Sequence, residues 1–313
     1  MSLFPLVLIS ISLVLAQAFF PQTNSSPALP ARLGLQPAKV FPGDVLRVDL
    51  QVEKPVQTVN AFLGSQEVSF RSRVGGGEWS GLAGIDLEAK PGRYSLKATV
   101  KFVDGQTTEL ERAFQVLPKT FPTQHIQVEE KYVTLDPKAE KRADEEAKKL
   151  KAIWETSTPQ KLWQGSFLSP VTTQLTSGFG RRRIVNNQPR SPHSGVDLKA
   201  SVGTPIKAAN AGQVVLAEDL YFSGNTVVLD HGLGLYTFYA HCSVMAVNPG
   251  DVVTRGQVIA KVGATGRVTG PHLHWACRLN EARVNPLNLT AVWMGEESPV
   301  SNRTQGRQRA QAK

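Results

Sequence analysis

Five of the six histidines in this 313-residue chain fall between residues 193 and 274, and four of those five occupy positions that could hold and use a metal ion. The first arrangement is His193-Ser194-Gly195-Val196-Asp197. A neutral imidazole and a carboxylate are both good zinc ligands, and a glycine between them lets the backbone bend so that the two side chains converge. The second is Pro271-His272-Leu273-His274-Trp275. On a strand, residues two apart share a face, so both imidazoles project together while Leu273 and Trp275 turn to a buried side. Such a pair suits one ligand and one proton-transfer group. The third is Tyr239-Ala240-His241, ending an apolar strand on which Leu235, Thr237, Tyr239 and His241 share one side. Taken singly, each arrangement also suits ordinary surface or core histidines; the crowding of all three into one region is what points to a site. His231, in Asp230-His231-Gly232, reads as turn chemistry. His125, in an irregular stretch near Pro122, reads as structural or exposed.

The elements that must position these groups are mostly short strands. Runs at 212–216, 225–230, 235–241, 258–262 and 272–278 are divided by turns such as Pro249-Gly250-Asp251 and Gly263-Ala264-Thr265-Gly266, and they predict an antiparallel sheet over residues 166–290. Upstream, runs at 46–52, 56–63, 94–102 and 110–116, with no helical run between them, predict an immunoglobulin-like β-sandwich over 32–118 that places or binds something. Between the two, 119–165 is read as a helical linker. Asp136 is its N-cap, Pro137 lies in the first turn, and Ala143, Ala147, Leu150 and Trp154 recur at helical spacing above a solvated charged face. The predicted fold class is therefore mainly β.

The first charged residue is Arg32, and an apolar run from Leu3 to Leu15 precedes Ala16-Gln17-Ala18. That is the layout of a secretion signal (1–18) followed by a flexible linker (19–31), although no Lys or Arg precedes the run; left uncleaved, the same segment would anchor the chain to a membrane. Either way the remainder is expected outside the cytoplasm, in the periplasm or cell envelope or secreted. Residues 291–313 read as a disordered polar tail. The formal charge of +9 favours anionic surfaces, wall polymers among them, but no aromatic-interleaved basic stripe or nucleic-acid motif is present, so nucleic acid is set aside as a partner. Two cysteines, Cys242 and Cys277, are too few for a disulfide framework; they could pair with each other or stay as apolar thiols.

The ordered set His193-x-Gly-x-Asp197, Ala240-His241 and His272-x-His274 resembles the lysostaphin and LytM type of zinc endopeptidases. The neighbourhood matches too: Gly178-Phe-Gly180 with the arginines after it, Gly203-Thr-Pro205, Gly212-Gln-Val214, Asn225 to Gly232 and Gly266 to Pro271. The likeness covers roughly 166–289. It implies that His193, Asp197 and His274 bind Zn2+, leaving a fourth position open, and that His241 and His272 are catalytic without being ligands. On that reading His272 takes a proton from water and His241 helps stabilise the oxyanion. The implied substrate is the peptide of bacterial peptidoglycan, hydrolysed at its cross-links. A second reading is a catalytically silent or autoinhibited LytM-like activator of a cell-wall amidase. A third, a carrier domain suggested by the hairpin 249–258, lacks the lysine such a domain needs at its turn.

Overall fold

The computed structural model describes residues 30–73 and 76–291, so the expected signal, most of the linker 19–31 and nearly all of the tail lie outside the described residues. The chain is mainly β, and its strand pairs are antiparallel with one exception. Eight strands come first: β1 (Ala31–Gln36), β2 (Val45–Val52), β3 (Val56–Leu63), β4 (Gln66–Glu67), β5 (Phe70–Ser72), β6 (Glu78–Gly84), β7 (Gly92–Phe102) and β8 (Thr107–Val116). They form two sheets, ordered β1-β2-β6-β5 and β4-β3-β7-β8. Leu46, Val48 and Leu50 of one meet Leu96, Ala98, Val100 and Phe102 of the other in a shared core, as the period of two requires. β6 breaks that rule, because Ser80 to Gly84 are all buried. Ala83 enters this core while Leu82 enters the core of the next unit. A strand buried on both faces shows no alternation, which is why the sequence does not announce it. The same contact docks the two halves, reinforced by the Arg283 guanidinium, which donates to Asp86 at 2.6 and 3.0 Å and to Glu88 at 2.6 Å.

The segment expected to be a helical linker contains a strand as well. β9 (Thr123–Ile126) precedes helix α1 (Pro137–Glu155), whose cap Asp136 accepts from the backbone N–H groups of Lys138 and Ala139, both at 2.9 Å. α1 buries no residue completely and lays Leu150, Ile153 and Trp154 against Leu216, Leu220, Val228 and Tyr236. Among the described residues, no helix is long and apolar enough to cross a membrane.

The remaining strands are β10 (Leu175–Ser177), β11 (Arg182–Val185), β12 (Gln188–Arg190), β13 (Gly195–Lys199), β14 (Pro205–Lys207), β15 (Gly212–Leu220), β16 (Gly224–Asp230), β17 (Leu235–Met245), β18 (Val252–Val253), β19 (Val258–Val262), β20 (His272–Leu279) and β21 (Ala282–Val284), followed by helix α2 (Pro286–Ala291). Ten of them make one sheet, with the path β10-β13-β20-β17-β16-β15-β18, β19 joining β17 to β14, and β21 on β20. β11 pairs with β12 and, in parallel, with β9. Cys242 and Cys277 are buried free thiols, so the open question of a bridge resolves to no disulfide. Register separates them: Cys277 lies opposite Thr237, whereas Cys242 lies opposite Val262.

Candidate metal centre

β13 and β20 place the first groups. Asp197 lies directly opposite His274, and Lys199 opposite His272, so Asp197 and both histidines share one face of the sheet. Leu273 and Trp275 are fully buried on the other face, as alternation demands. His193 sits two residues before β13 with its ring buried. Gly195 matters for a reason different from the expected one. It does not adopt a left-handed backbone; instead a Cβ there would stand 2.5 Å from the Trp275 carbonyl oxygen and 2.8 Å from His274 Cε1. Its missing side chain is the space into which the His274 ring fits.

His241 reaches the site by a local break in β17. Its φ is +64°, and the register against β16 slips there, with Tyr239 opposite Val227 but Cys242 opposite Asn225. One extra residue makes a bulge, which re-aims the side chain. The expectation that Tyr239 and His241 share one side is therefore corrected. Tyr239 points into the core and accepts from the Ala209 N–H at 2.9 Å, while His241 turns to the face of His274. Its ring centroid is 6.0 Å from that of His274 and 4.9 Å from that of His272.

Three donor atoms converge. His193 Nε2 is 3.0 Å from Asp197 Oδ1, His274 Nδ1 is 2.8 Å from the same oxygen, and the two nitrogens are 2.9 Å apart. His193 directs Nδ1 at the Gly178 carbonyl oxygen (3.1 Å), which can only accept, so the proton sits on Nδ1 and Nε2 presents a lone pair. Burial works against the Asp197 carboxylate, but the His193 and His274 imidazoles beside it outweigh burial and hold the carboxyl well below the usual range. An imidazole lone pair and a carboxylate oxygen 3.0 Å apart with no proton between them are arranged for a cation. Ligands about 2.0–2.1 Å from a tetrahedral zinc stand roughly 3.3 Å from one another, so small outward shifts would admit the ion. The two-nitrogen, one-oxygen donor set fits a divalent metal of the zinc type.

The other two imidazoles have their tautomers fixed in the same way. His241 Nδ1 donates to the Thr265 carbonyl oxygen at 2.9 Å and His272 Nδ1 to that of Gly270 at 2.8 Å, leaving Nε2 of each as an acceptor. His272 Nε2 lies 3.8 Å from Asp197 Oδ1. Burial, then the neighbouring His274 and His272, push the His241 imidazole down to about 3, and burial pushes His193 down to about 4, so both are neutral in ordinary buffers. The His272 and His274 side chains keep 17% and 13% of their surface exposed, which leaves the centre open to solvent. His231 is not brought here. It is fully buried, donates to the Ala211 carbonyl oxygen at 2.7 Å and contacts Thr237 Oγ1 at 2.7 Å in a core network. His125 lies on β9 and is exposed.

Residues 191–286 match peptidase family M23. A solved structure from Pseudomonas aeruginosa, described as an M23 peptidase, aligns over 80% of this chain and 95% of its own length at 34% identity, with a TM-score of 0.63. The chain belongs to peptidase family M23. Two curated relatives are the peptidoglycan DD-endopeptidase ShyA of Vibrio cholerae, 39% identical over 115 residues, and the DD-carboxypeptidase/endopeptidase Mpg of Neisseria meningitidis serogroup B, 39% identical over 119. These alignments take in 36% and 38% of this chain and 27% of each relative, so the chain spans about a quarter of the curated relatives it matches.

The M23 match begins at residue 191, yet several groups that contact its histidines and carboxylate lie before it. Ser177 Oγ is 3.2 Å from His193 Nδ1 and donates to Gln124 Oε1 at 2.9 Å, tying β9 to the site. Arg183 Nη2 donates to Asp197 Oδ2 at 3.2 Å. Arg190 stands opposite Arg183 on the β11–β12 hairpin, and Arg267, inside the match, lies in the loop before β20. Sequence reasoning passed over Gln124, Ser177, Arg183, Arg190 and Arg267. Only Arg183 and Arg267 had left a signal, the first in the arginine run after Gly180 and the second in the stretch Gly266 to Pro271.

Proposed function

We propose that this M23 peptidase is a zinc-dependent endopeptidase that hydrolyses D,D-peptide cross-links of bacterial peptidoglycan outside the cytoplasm. The observation that carries the reading is the meeting of His193 Nε2, Asp197 Oδ1 and His274 Nδ1 beside two further imidazoles with open Nε2 atoms. The names of the relatives from V. cholerae and N. meningitidis support the substrate class and the bond. His193, Asp197 and His274 would hold the ion. When bound, it supplies Lewis acidity toward a carbonyl oxygen and acidifies water. The chain's own part is proton handling. His272, the more exposed imidazole, takes the proton from the attacking water at Nε2. His241 presents a lone pair in the free enzyme, so it stabilises an oxyanion only after taking up a proton itself. The complete set of five groups argues against a silent amidase activator. We further infer an immunoglobulin-like sandwich over 32–118 preceding the peptidase unit at 166–290; the strand orders β1-β2-β6-β5 and β4-β3-β7-β8 support it.

Incubating the purified protein with intact wall sacculi, with and without a chelator, tests the reading. Soluble cross-bridge fragments identified by mass should appear, vanish with the chelator and return with added zinc. Release that ignores the chelator, or no release from a zinc-loaded protein, would overturn it.

A further inference from the structure

Three arginines lie on segments that frame the candidate metal centre: Arg183 and Arg190 on the β11–β12 hairpin, and Arg267 in the loop whose Thr265 and Gly270 carbonyl oxygens accept from His241 and His272. Arg183 and Arg190 are direct cross-strand partners on the β11–β12 hairpin, an arrangement that is unfavourable for like charges. Arg183 leans on Asp197 Oδ2 at 3.2 Å, but that carboxylate is already committed to His193 and His274, and the Nε of Arg183 is buried with no hydrogen-bond partner. Arg190 spends Nη2 on the Val133 carbonyl oxygen and Gln188. From the opposite wall, the Arg267 backbone N–H is fixed to the Phe222 carbonyl oxygen at 2.8 Å and its guanidinium lies 4.7 Å above the Phe222 ring. The Arg267 side chain is half-buried and has no hydrogen bond or ion pair among the described residues. Burial and the charges of Arg183 and Arg190 hold its guanidinium below the usual arginine range.

We infer that Arg183, Arg190 and Arg267 form a carboxylate-binding subsite, selecting peptides that bear a free carboxylate close to the scissile bond. The planar fork of a guanidinium matches a carboxylate through two parallel N–H···O bonds, and an aromatic face under Arg267 orients that fork without using its donors. Because Arg183 touches Asp197, the bound carboxylate lies within about one or two residues of the bond to be cut, given roughly 3.8 Å between successive Cα atoms. The inference rests on the peptidase reading and names the substrate feature which that site prefers.

The test uses an N-acetylated D-alanyl-D-alanine peptide as free acid and as C-terminal carboxamide. Calorimetric affinity is measured on zinc-loaded and on chelated protein, and cleavage is followed in parallel. The acid should bind about 10- to 100-fold more tightly than the carboxamide in both metal states, the range expected for charge-assisted hydrogen bonds. Arg267→Gln and Arg190→Gln should close that gap by weakening the acid alone, and Arg267→Lys should close it partly. Carboxamide binding retained by each variant shows that the fold is intact. Equal affinity for acid and carboxamide, a gap that survives both glutamine variants, or a gap lost when the metal is removed would overturn the subsite. Cleavage without a preference would leave the peptidase standing while the subsite fails; preference without cleavage would do the reverse.

Discussion

Gln124, distant in sequence from every putting-together of His and Asp in the M23 match, should nevertheless set the metal affinity of His193. Ser177 has one proton, and it goes to Gln124 Oε1 at 2.9 Å; its oxygen is thereby left to accept from His193 Nδ1 at 3.2 Å, in parallel with the Gly178 carbonyl oxygen at 3.1 Å. The relay keeps the His193 proton on Nδ1 and the lone pair on Nε2. Gln124→Ala frees the Ser177 hydroxyl to turn and donate to Nδ1, which favours the tautomer that carries its proton on the metal-facing nitrogen. One neutral hydrogen bond contributes about 0.5–1.5 kcal/mol, and the Gly178 carbonyl still opposes the switch, so zinc affinity should fall about 3- to 10-fold. Gln124→Glu, which keeps an acceptor and removes any donor, should match or exceed the wild type. Competition with a chromogenic zinc chelator measures all three, with near-ultraviolet circular dichroism as a check on folding. An affinity for Gln124→Ala within twofold of wild type, or a Gln124→Glu variant weaker than Gln124→Ala, would refute the relay.

Three further outcomes follow from the same structure. Gly195→Ala should cost about 1–3 kcal/mol of stability and displace His274, because the new methyl meets the Trp275 carbonyl oxygen at 2.5 Å; denaturant midpoints and bound zinc per chain check both effects. His231 is neutral when folded, with burial pushing it down to about 4 from 6.5, so its contribution is constant above pH 6.5 and falls as pH drops toward 4, by about 3 kcal/mol in total. The zinc-loaded wild type should therefore lose more stability than His231→Asn across that window, and parallel pH profiles would contradict this. Asp86→Ala should loosen the contact between the two halves by about 1–2 kcal/mol, since it strips the partly exposed Arg283 of its two-point partner; a urea midpoint unchanged from wild type would show the pair to be idle.

What the sequence disclosed and what it withheld divide along physical lines. Strands with one wet face, such as β3 and β7, and the capped helix α1 were legible because alternation and capping are local properties. β6 was hidden by burial on both faces. The face shared by His272 and His274 followed from a period of two, but the placement of His241 did not, because a single left-handed residue reverses that period and no residue type announces it. Gly195 was read as letting the backbone bend, whereas what it provides is close approach to His274, which depends on a strand 77 or more residues away. The arginines after Gly180 were visible as a run, but the pairing of Arg183 with Arg190 arises from a hairpin register.

The division of labour between segments follows from those same contacts. Within the M23 match, the β13–β20 register fixes the Asp197 and His274 donor atoms, and His193 joins them from two residues before β13. Tautomer control of His193 comes from β10 and β9, and the unbalanced positive charge comes mainly from β11 and β12, all before residue 191. β9 reaches the site only because it runs parallel to β11, and α1, which follows it, is held against β15 by Arg142 on Asp219 and Lys149 on Glu218. If His193, Asp197 and His274 hold a metal as proposed, the segment between the two halves helps set how tightly, and metal affinity should vary with the docking of that segment.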